Sequence, residues 1–410
     1  MVGTPQGGNA DLKNEGLKVA TSLHKTAIGA EQSQAVRLLF VDNLRWTLIV
    51  LVICHHAAVT YSHVGGWYYL DGTKPSLLAS LPLATFETFN QAFFMGILFL
   101  LAGYFVPGAY DSKGGWRFLR DRSMRLGIPT LFFMLVLAPV IKYWLLRFDD
   151  PSRPTLAEAY PRFLTVFGML SASGPMWFAL ALLIFCFVYG LYRFVSGGEG
   201  RAVPLSVPNH LAVVGLMLVM GSGSFLVRII QPIGTNVFNM QLCFFSQYIL
   251  LFCVGIMAYR GDWLRRVNKA FGLFWFRVSL LGGIPGWIAI VGTTGPLRGD
   301  TKSLLGGLTW QSAAFCFWES FFCVGVCLGL IVIFRERFNS QDGFARWMSQ
   351  NSFSAYLFHP PLLIAVTLVL RPVPLPPLAK FVMACLIAVP TVFLVSGLLR
   401  ERVPGLRRLL

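Results

Sequence analysis

The sequence predicts an all-α polytopic membrane protein with about ten transmembrane helices and both termini in the cytoplasm. Of the 410 residues, 55% are hydrophobic and only 13% are charged, which is about half the charge of a soluble globular chain. Apolar runs of about 20 residues, the length that crosses a hydrocarbon core, recur along the chain. Roughly two thirds of the Lys and Arg residues fall in segments on the N-terminal side of the membrane, and such an excess indicates the cytoplasmic side.

The predicted spans divide the chain into three regions. Residues 1–36 are polar and lack the apolar run of a signal peptide, so we expect a flexible tail. Residues 37–400 form the transmembrane domain, and 401–410 form a short basic C-terminal tail. The ten candidate spans lie at roughly 44–62, 86–109, 126–146, 175–195, 209–230, 240–259, 271–293, 310–334, 352–370 and 376–399.

The net charge of +16 indicates a membrane partner. Short basic loops set topology and contact anionic lipid headgroups, and no basic soluble domain exists that would bind nucleic acid. The eight cysteines all lie within predicted spans, without the Cys/His spacing of a zinc site or a disulfide framework. We therefore predict membrane lipids as partners, and neither a metal nor a nucleic acid.

An arginine and a histidine lie eleven residues apart in the first span, as Arg45 and His56. Eleven residues make almost three helical turns, so the two side chains share one face about 16 Å apart. Ionisable groups in a membrane are costly and normally face a bundle interior or a wet cavity. The pattern predicts chemistry reached from one side of the membrane, with His56 as its centre. His55 is rotated by about 100° and is expected to hydrogen-bond within the bundle.

Two further intramembrane groups are candidates. His359 precedes Pro360 and Pro361, which should interrupt their helix and free carbonyls to line a cavity. A structural role for His359 in that kink and a catalytic role both stay open. Glu319 is the clearest carboxylate within a span, suited to orienting a histidine, pairing an arginine or relaying protons.

The basic loop before the third span contains Arg122 and Arg125. Guanidinium groups three residues apart at a helix start suit phosphate, although a loop that only sets topology has the same composition. Arg45 lies on the same side, so the three arginines are expected to converge on one anionic ligand. Trp177 is either an interfacial anchor or a cavity wall.

Taken together, these residues resemble the acyltransferase-3 family of integral-membrane acyltransferases. The resemblance rests on the Arg-x10-His motif, on the order and spacing of the other motifs, and on the ten spans, and it covers about residues 37–400. The chain is most similar to the branch that succinylates periplasmic glucans. It differs at Ala102, where relatives often have Ser before the glycine of the second span, Gly103. The matching stretches are Arg45 to His56, Phe94 to Gly103, Arg122 and Arg125 with the following Leu-Gly-Ile-Pro, Met176-Trp177-Phe178, and Tyr356-Leu-Phe-His359-Pro.

The resemblance implies transfer of an acetyl or succinyl group from cytoplasmic acyl-coenzyme A to a hydroxyl of a glycan or other cell-envelope acceptor. It implies a bacterial inner-membrane location, with a separate periplasmic partner protein as one option. His56 is then a general base or an acylated relay, and Arg45 and Glu319 complete the expected catalytic set. The residues expected to bind the donor are Arg122, Arg125, Arg45, Trp177 and His359.

A transporter or flippase for an anionic or glycan-linked substrate is the rival interpretation. Ten helices with intramembrane Arg, His and Glu are compatible with transport, but the two halves of the sequence lack a convincing internal repeat. Dependence on acyl-coenzyme A distinguishes the two functions.

Overall fold

A computed structural model describes residues 37–197, 205–295, 297 and 301–409. Within these ranges ten helices are long and apolar enough to cross a membrane, which confirms the predicted all-α fold with ten spans. The predicted flexible tail, residues 1–36, lies outside the described residues. The ten helices are α1 (Leu39–Ser62), α2 (Leu77–Lys113), α3 (Gly115–Phe148), α4 (Gly174–Val195), α5 (His210–Ile230), α6 (Leu242–Gly261), α7 (Lys269–Thr293), α8 (Trp310–Arg337), α9 (Gly343–Leu370) and α10 (Pro377–Arg402).

Several helices start earlier than the hydropathy pattern predicts. The start of α2 lies nine residues before the predicted 86, and the starts of α3 and α9 are similarly early. Side-chain oxygens cap two of these starts: in α2 Ser76 accepts from the backbone N–H of Ala79, and in α9 Asp342 accepts from that of Ala345. Capping by Ser and Asp stabilises a helix regardless of hydropathy.

The centre of the bundle is the close contact of α2 with α6. A methyl group added to Gly103 would lie 2.2 Å from the carbonyl oxygen of Phe252, and one added to Gly255 would lie 2.1 Å from that of Leu100. Only glycine allows the two backbones to touch at these points. Small residues at such contacts replace the hydrophobic driving force that lipid does not provide.

The third helix is not a regular α-helix throughout. Its turns at Ser123–Gly127 and Phe133–Leu137 are π-helical, and it ends in a 3₁₀ turn at Leu145–Phe148. A short helix at Leu156–Phe163 follows, with a complete capping box between Thr155 and Glu158. Wide turns of this kind often occur at functional sites, and here one of them contains Arg125.

The expected break at Pro360 and Pro361 is wrong, because α9 continues through both prolines as far as Leu370. A proline lacks the N–H that would bond the carbonyl four residues earlier, so Pro360 leaves the Tyr356 carbonyl without its helical donor. Ring atom Nδ1 of His359 lies 2.7 Å from that carbonyl oxygen. The histidine side chain thus takes the place of the missing backbone donor.

Contacts between helix ends define two ends of the bundle. At the end where α1 starts, which we call the near end, Asn43 donates to the carbonyls of Phe338 and Ser340 at 2.7 and 2.8 Å. At the opposite, far end, loop 63–76 meets the start of α10. The arginine-bearing start of α3 lies at the near end, directly after α2 ends at Lys113.

Candidate active site

Three aromatic rings from separate segments meet near the far end of α1. The His56 ring stacks on the indole of Trp67 with centroids 3.9 Å apart and planes 14° apart. The same ring lies 5.4 Å from that of His359 on α9, with planes 12° apart. We call His56, Trp67 and His359 the three-ring cluster. It brings together two histidines that lie about 300 residues apart in the sequence.

The hydrogen bond of His359 fixes its tautomer. A backbone carbonyl oxygen only accepts, so the Nδ1 atom that faces Tyr356 must carry a hydrogen. In the neutral ring Nε2 then holds the lone pair. This Nε2 is buried and has no hydrogen-bond partner, so it is available as a proton acceptor.

Other polar atoms without partners surround the same point. Nδ1 of His56 and Nε1 of Trp67 are also buried without a hydrogen bond. Buried polar groups are normally satisfied, because leaving one unpaired costs about 1–3 kcal/mol. Such a concentration of unsatisfied donors and acceptors is typical of a site whose partner is a ligand.

A buried ion pair holds the loop that contains Trp67. Nζ of Lys380, at the start of α10, lies 2.7 Å from Oδ2 of Asp71, and the two side chains are only 10% and 7% exposed. The other carboxylate oxygen of Asp71 accepts from the hydroxyl of Tyr69 at 3.0 Å. The loop is therefore anchored directly beyond Trp67.

A second anchor fixes the other side of the loop. The Ser62 hydroxyl, at the end of α1, donates to Glu87 of α2 at 2.6 Å. It also accepts from the backbone N–H of Val64 at 3.0 Å. Loop 63–76 is thus bound to α2 at one side and to α10 at the other. These contacts hold the Trp67 indole on His56 before any ligand binds.

The start of α4 packs against this loop and α9. The Tyr356 hydroxyl donates to the carbonyl oxygen of Pro175. Gly174 has a φ of +48°, and a methyl group on it would lie 2.3 Å from the Tyr68 hydroxyl oxygen, so both its conformation and its space require glycine. Burial raises the pKa of the Tyr68 phenol, which therefore keeps its proton at neutral pH.

The predicted site residues occupy three separate places. His56 and His359 lie together, in the three-ring cluster. Trp177 packs among aromatic rings, 5.5 Å from Tyr248 and 6.3 Å from Phe99. Glu319 is buried in an ion pair with Arg228 of α5, and its hydrogen bond is to that arginine rather than to a histidine.

The predicted arginines lie at the near end. Arg45 is 50% exposed and lies 3.9 Å from Asp42. Arg122 is half-buried, with its guanidinium 5.4 Å from the Phe118 ring centroid, whereas Arg125 is exposed. None of the described contacts joins Arg45 directly to either of the other two.

Sequence reasoning missed the residues that complete the site. Trp67 and Tyr68 follow two glycines in a loop, and a run of aromatic residues there is a detectable signal. Lys380 and Arg228 are charged residues within otherwise apolar helices. This signal is the same one that pointed to Glu319, and it could have identified both as buried ion-pair partners. The described ranges contain no group of three His, Cys, Asp or Glu residues that could hold a metal.

Comparison with known proteins identifies one family and a set of relatives. The model of a family described as an acyltransferase domain matches residues 38–397. Glucans biosynthesis protein C of Salmonella heidelberg (strain SL476) is 26% identical over 235 residues, and that of Salmonella paratyphi B (strain ATCC BAA-1250 / SPB7) is 28% identical over 237. Each match covers 55% of this chain, which spans 59% of the length of these relatives. No solved structure matches significantly.

The anchoring of the loop can be tested through Lys380. Lys380→Met should lower the stability of the protein by about 3 kcal/mol, because it leaves the Asp71 carboxylate buried without its partner, and should speed proteolysis within 63–76. Arg371→Met is the matched control: its ion pair with Asp149 is half exposed on the arginine side and should contribute at most about 1 kcal/mol. Thermal unfolding and limited proteolysis in detergent measure both. Equal effects of the two substitutions would contradict the anchoring role.

Proposed function

The chain belongs to the acyltransferase-3 family, and we propose that it transfers an acetyl or succinyl group from cytoplasmic acyl-coenzyme A to a hydroxyl of a cell-envelope glycan. The observation that carries the proposal is the three-ring cluster, in which two histidines from different membrane-spanning helices lie together with unpartnered ring nitrogens. The names of the relatives in glucan biosynthesis support a glycan acceptor. A bacterial inner membrane is the location that fits both substrates.

The depth of His56 suits a reaction with substrates from opposite sides. His56 lies six residues, or about 9 Å, from the far end of α1, and about 16 Å from Arg45 toward the near end. A pantetheine arm of about that length would carry a thioester from the near end to the cluster. The acceptor would approach the same point over the shorter distance, past loop 63–76.

The proposed chemistry is general-base catalysis. His56 accepts the proton of the acceptor hydroxyl, whose oxygen attacks the thioester carbonyl. The new C–O bond forms, the C–S bond breaks, and the departing thiolate takes up a proton, which leaves free coenzyme A. His359, with its Nε2 lone pair beside His56, positions and supports this proton transfer.

An acylated histidine is the alternative mechanism. In that case the thioester carbonyl would be attacked by a His56 nitrogen, and the acyl group would pass to the hydroxyl in a second step. The lone pair of a His56 nitrogen lies in the plane of the ring, so the stacking on Trp67 at 3.9 Å is compatible with both mechanisms.

The near end supplies the cations that a coenzyme A head requires. Arg122 and Arg125, at the start of α3, are the proposed phosphate ligands, since guanidinium groups bind phosphate oxygens in pairs. Arg45 would bind phosphate or stabilise charge on the thioester oxygen.

Trp177 is proposed to line the donor path, and Glu319 to support that path through its ion pair with Arg228. A periplasmic partner protein would receive the acylated product at the far end.

The role of His56 predicts the effect of its removal. His56→Ala should lower the rate of acyl transfer by about 10²-fold or more, the usual contribution of a general base, while membrane insertion and thermal unfolding stay close to wild type. Release of free coenzyme A by purified protein in nanodiscs measures the rate. His55→Ala is the control, because His55 stacks on Phe94 and should keep most activity. An active His56→Ala variant would contradict the assignment.

The phosphate site predicts a donor-specific defect. Arg122→Ala with Arg125→Ala should weaken acyl-coenzyme A binding about tenfold or more, and binding by the double variant should depend less on salt than wild-type binding does. Arg117→Ala, an exposed arginine on the same segment, serves as the control. Calorimetry at two salt concentrations gives both quantities. Unchanged donor affinity in the double variant would contradict the phosphate site and would mean that Arg122 and Arg125 only set the membrane topology.

A further inference from the structure

A pocket of about 390 Å³ adjoins the three-ring cluster at the far end of the bundle. Its volume falls in the range of small-molecule sites, roughly 300–1,000 Å³. Trp67 lines this pocket and also stacks on His56, so the pocket and the histidine share one side chain. The lining residues are Trp67, Tyr68, Lys142, Tyr143, Leu146, Arg153 and Pro154.

The pocket combines aromatic surface with positive charge. Three of its residues are Trp or Tyr, whose ring faces attract the C–H bonds of a sugar ring. Its two basic side chains are those of Lys142 and Arg153, and no carboxylate lines the pocket. Lys142 has no ion pair within the described ranges, while Arg153 lies 3.6 Å from Asp150. The lining therefore favours a ligand that is both polyhydroxylated and anionic.

The walls of the pocket are built by packing. The Tyr143 ring lies 6.2 Å from that of Phe163 in the short helix Leu156–Phe163. In the same helix, the Tyr160 hydroxyl donates to the carbonyl of Leu135 at 3.0 Å. On the opposite wall, Tyr68 contacts the start of α4 at Gly174. The pocket is thus formed before a ligand enters.

We propose that this pocket binds the acceptor, and that the acceptor is a saccharide with an anionic substituent. The inference rests on the proposed function and deepens it. A sugar ring packs against Trp67 and Tyr68, in the pocket next to His56, and a phosphate or carboxylate on the saccharide pairs with Lys142 and Arg153. Pro154 and Arg153 belong to the loop after α3, so the saccharide enters from the far end rather than along the path of the donor.

Equilibrium binding without donor tests the pocket independently of catalysis. The probes are a glucose tetrasaccharide and the same tetrasaccharide with one phosphomonoester, and the protein is the full chain in phosphatidylcholine nanodiscs. The wild type should bind the phosphorylated probe about tenfold or more tightly than the neutral one. Lys142→Met and Arg153→Gln should each remove most of this difference, and Lys142→Arg should restore it. Lys74→Met, an exposed lysine on loop 63–76, should bind as wild type does.

The outcomes separate the two proposals. Equal binding of the two probes, or binding of neither, overturns the anionic-saccharide pocket even if the protein consumes acyl-coenzyme A. A Lys142→Met variant that loses affinity for acyl-coenzyme A and keeps affinity for the phosphorylated probe overturns it as well, because the pocket would then serve the donor. Saccharide binding by a protein that never consumes acyl-coenzyme A supports the pocket and contradicts the acyltransferase mechanism instead.

Discussion

The cost of an unpaired polar group in hydrocarbon is the constraint on which this structure depends. Where α9 passes through Pro360, the His359 ring supplies the hydrogen bond that the backbone loses, and where Glu319 enters the core, Arg228 pairs with it. Several buried polar atoms elsewhere also lack partners, among them two nitrogens of Arg228. The rings of His56, Trp67 and His359 differ in that three side chains with unpartnered nitrogens stack on one another. Intramembrane polar groups of this kind mark a candidate functional site, where a substrate would provide the missing interactions.

The two ends of the bundle provide different surroundings for the same reactive centre. At the near end, exposed guanidinium groups at the start of α3 suit a polyanionic donor. At the far end, the ion pair of Asp71 with Lys380 holds Trp67 over His56, and a pocket with aromatic and basic walls opens beside it. The same anchored loop therefore covers the histidine and lines the pocket. Under the proposed function, this links the binding of a saccharide to the geometry of proton transfer.

The number of helices could be predicted from sequence, because hydropathy is a local signal. The same-face Arg–His pair is a local signal as well, and the role of His56 that it indicates stays a prediction. The starts of α2 and α9 could not be predicted, since the side-chain caps of Ser76 and Asp342 begin each helix nine residues before its predicted span. Trp67 escaped prediction because its contact with His56 depends on how a distant residue, Lys380, anchors its loop. Contacts across about 300 residues leave no periodic pattern in the sequence.

The most direct test is whether the two substrates must lie on opposite sides of the bilayer. Sealed proteoliposomes would hold radiolabelled acyl-coenzyme A in the lumen and a phosphorylated glucose tetrasaccharide outside, in parallel with vesicles that have both substrates outside. We expect His56-dependent labelling of the saccharide only when the two substrates lie on opposite sides of the bilayer. Labelling only when both substrates share one side would contradict a centre reached from the two ends of the bundle.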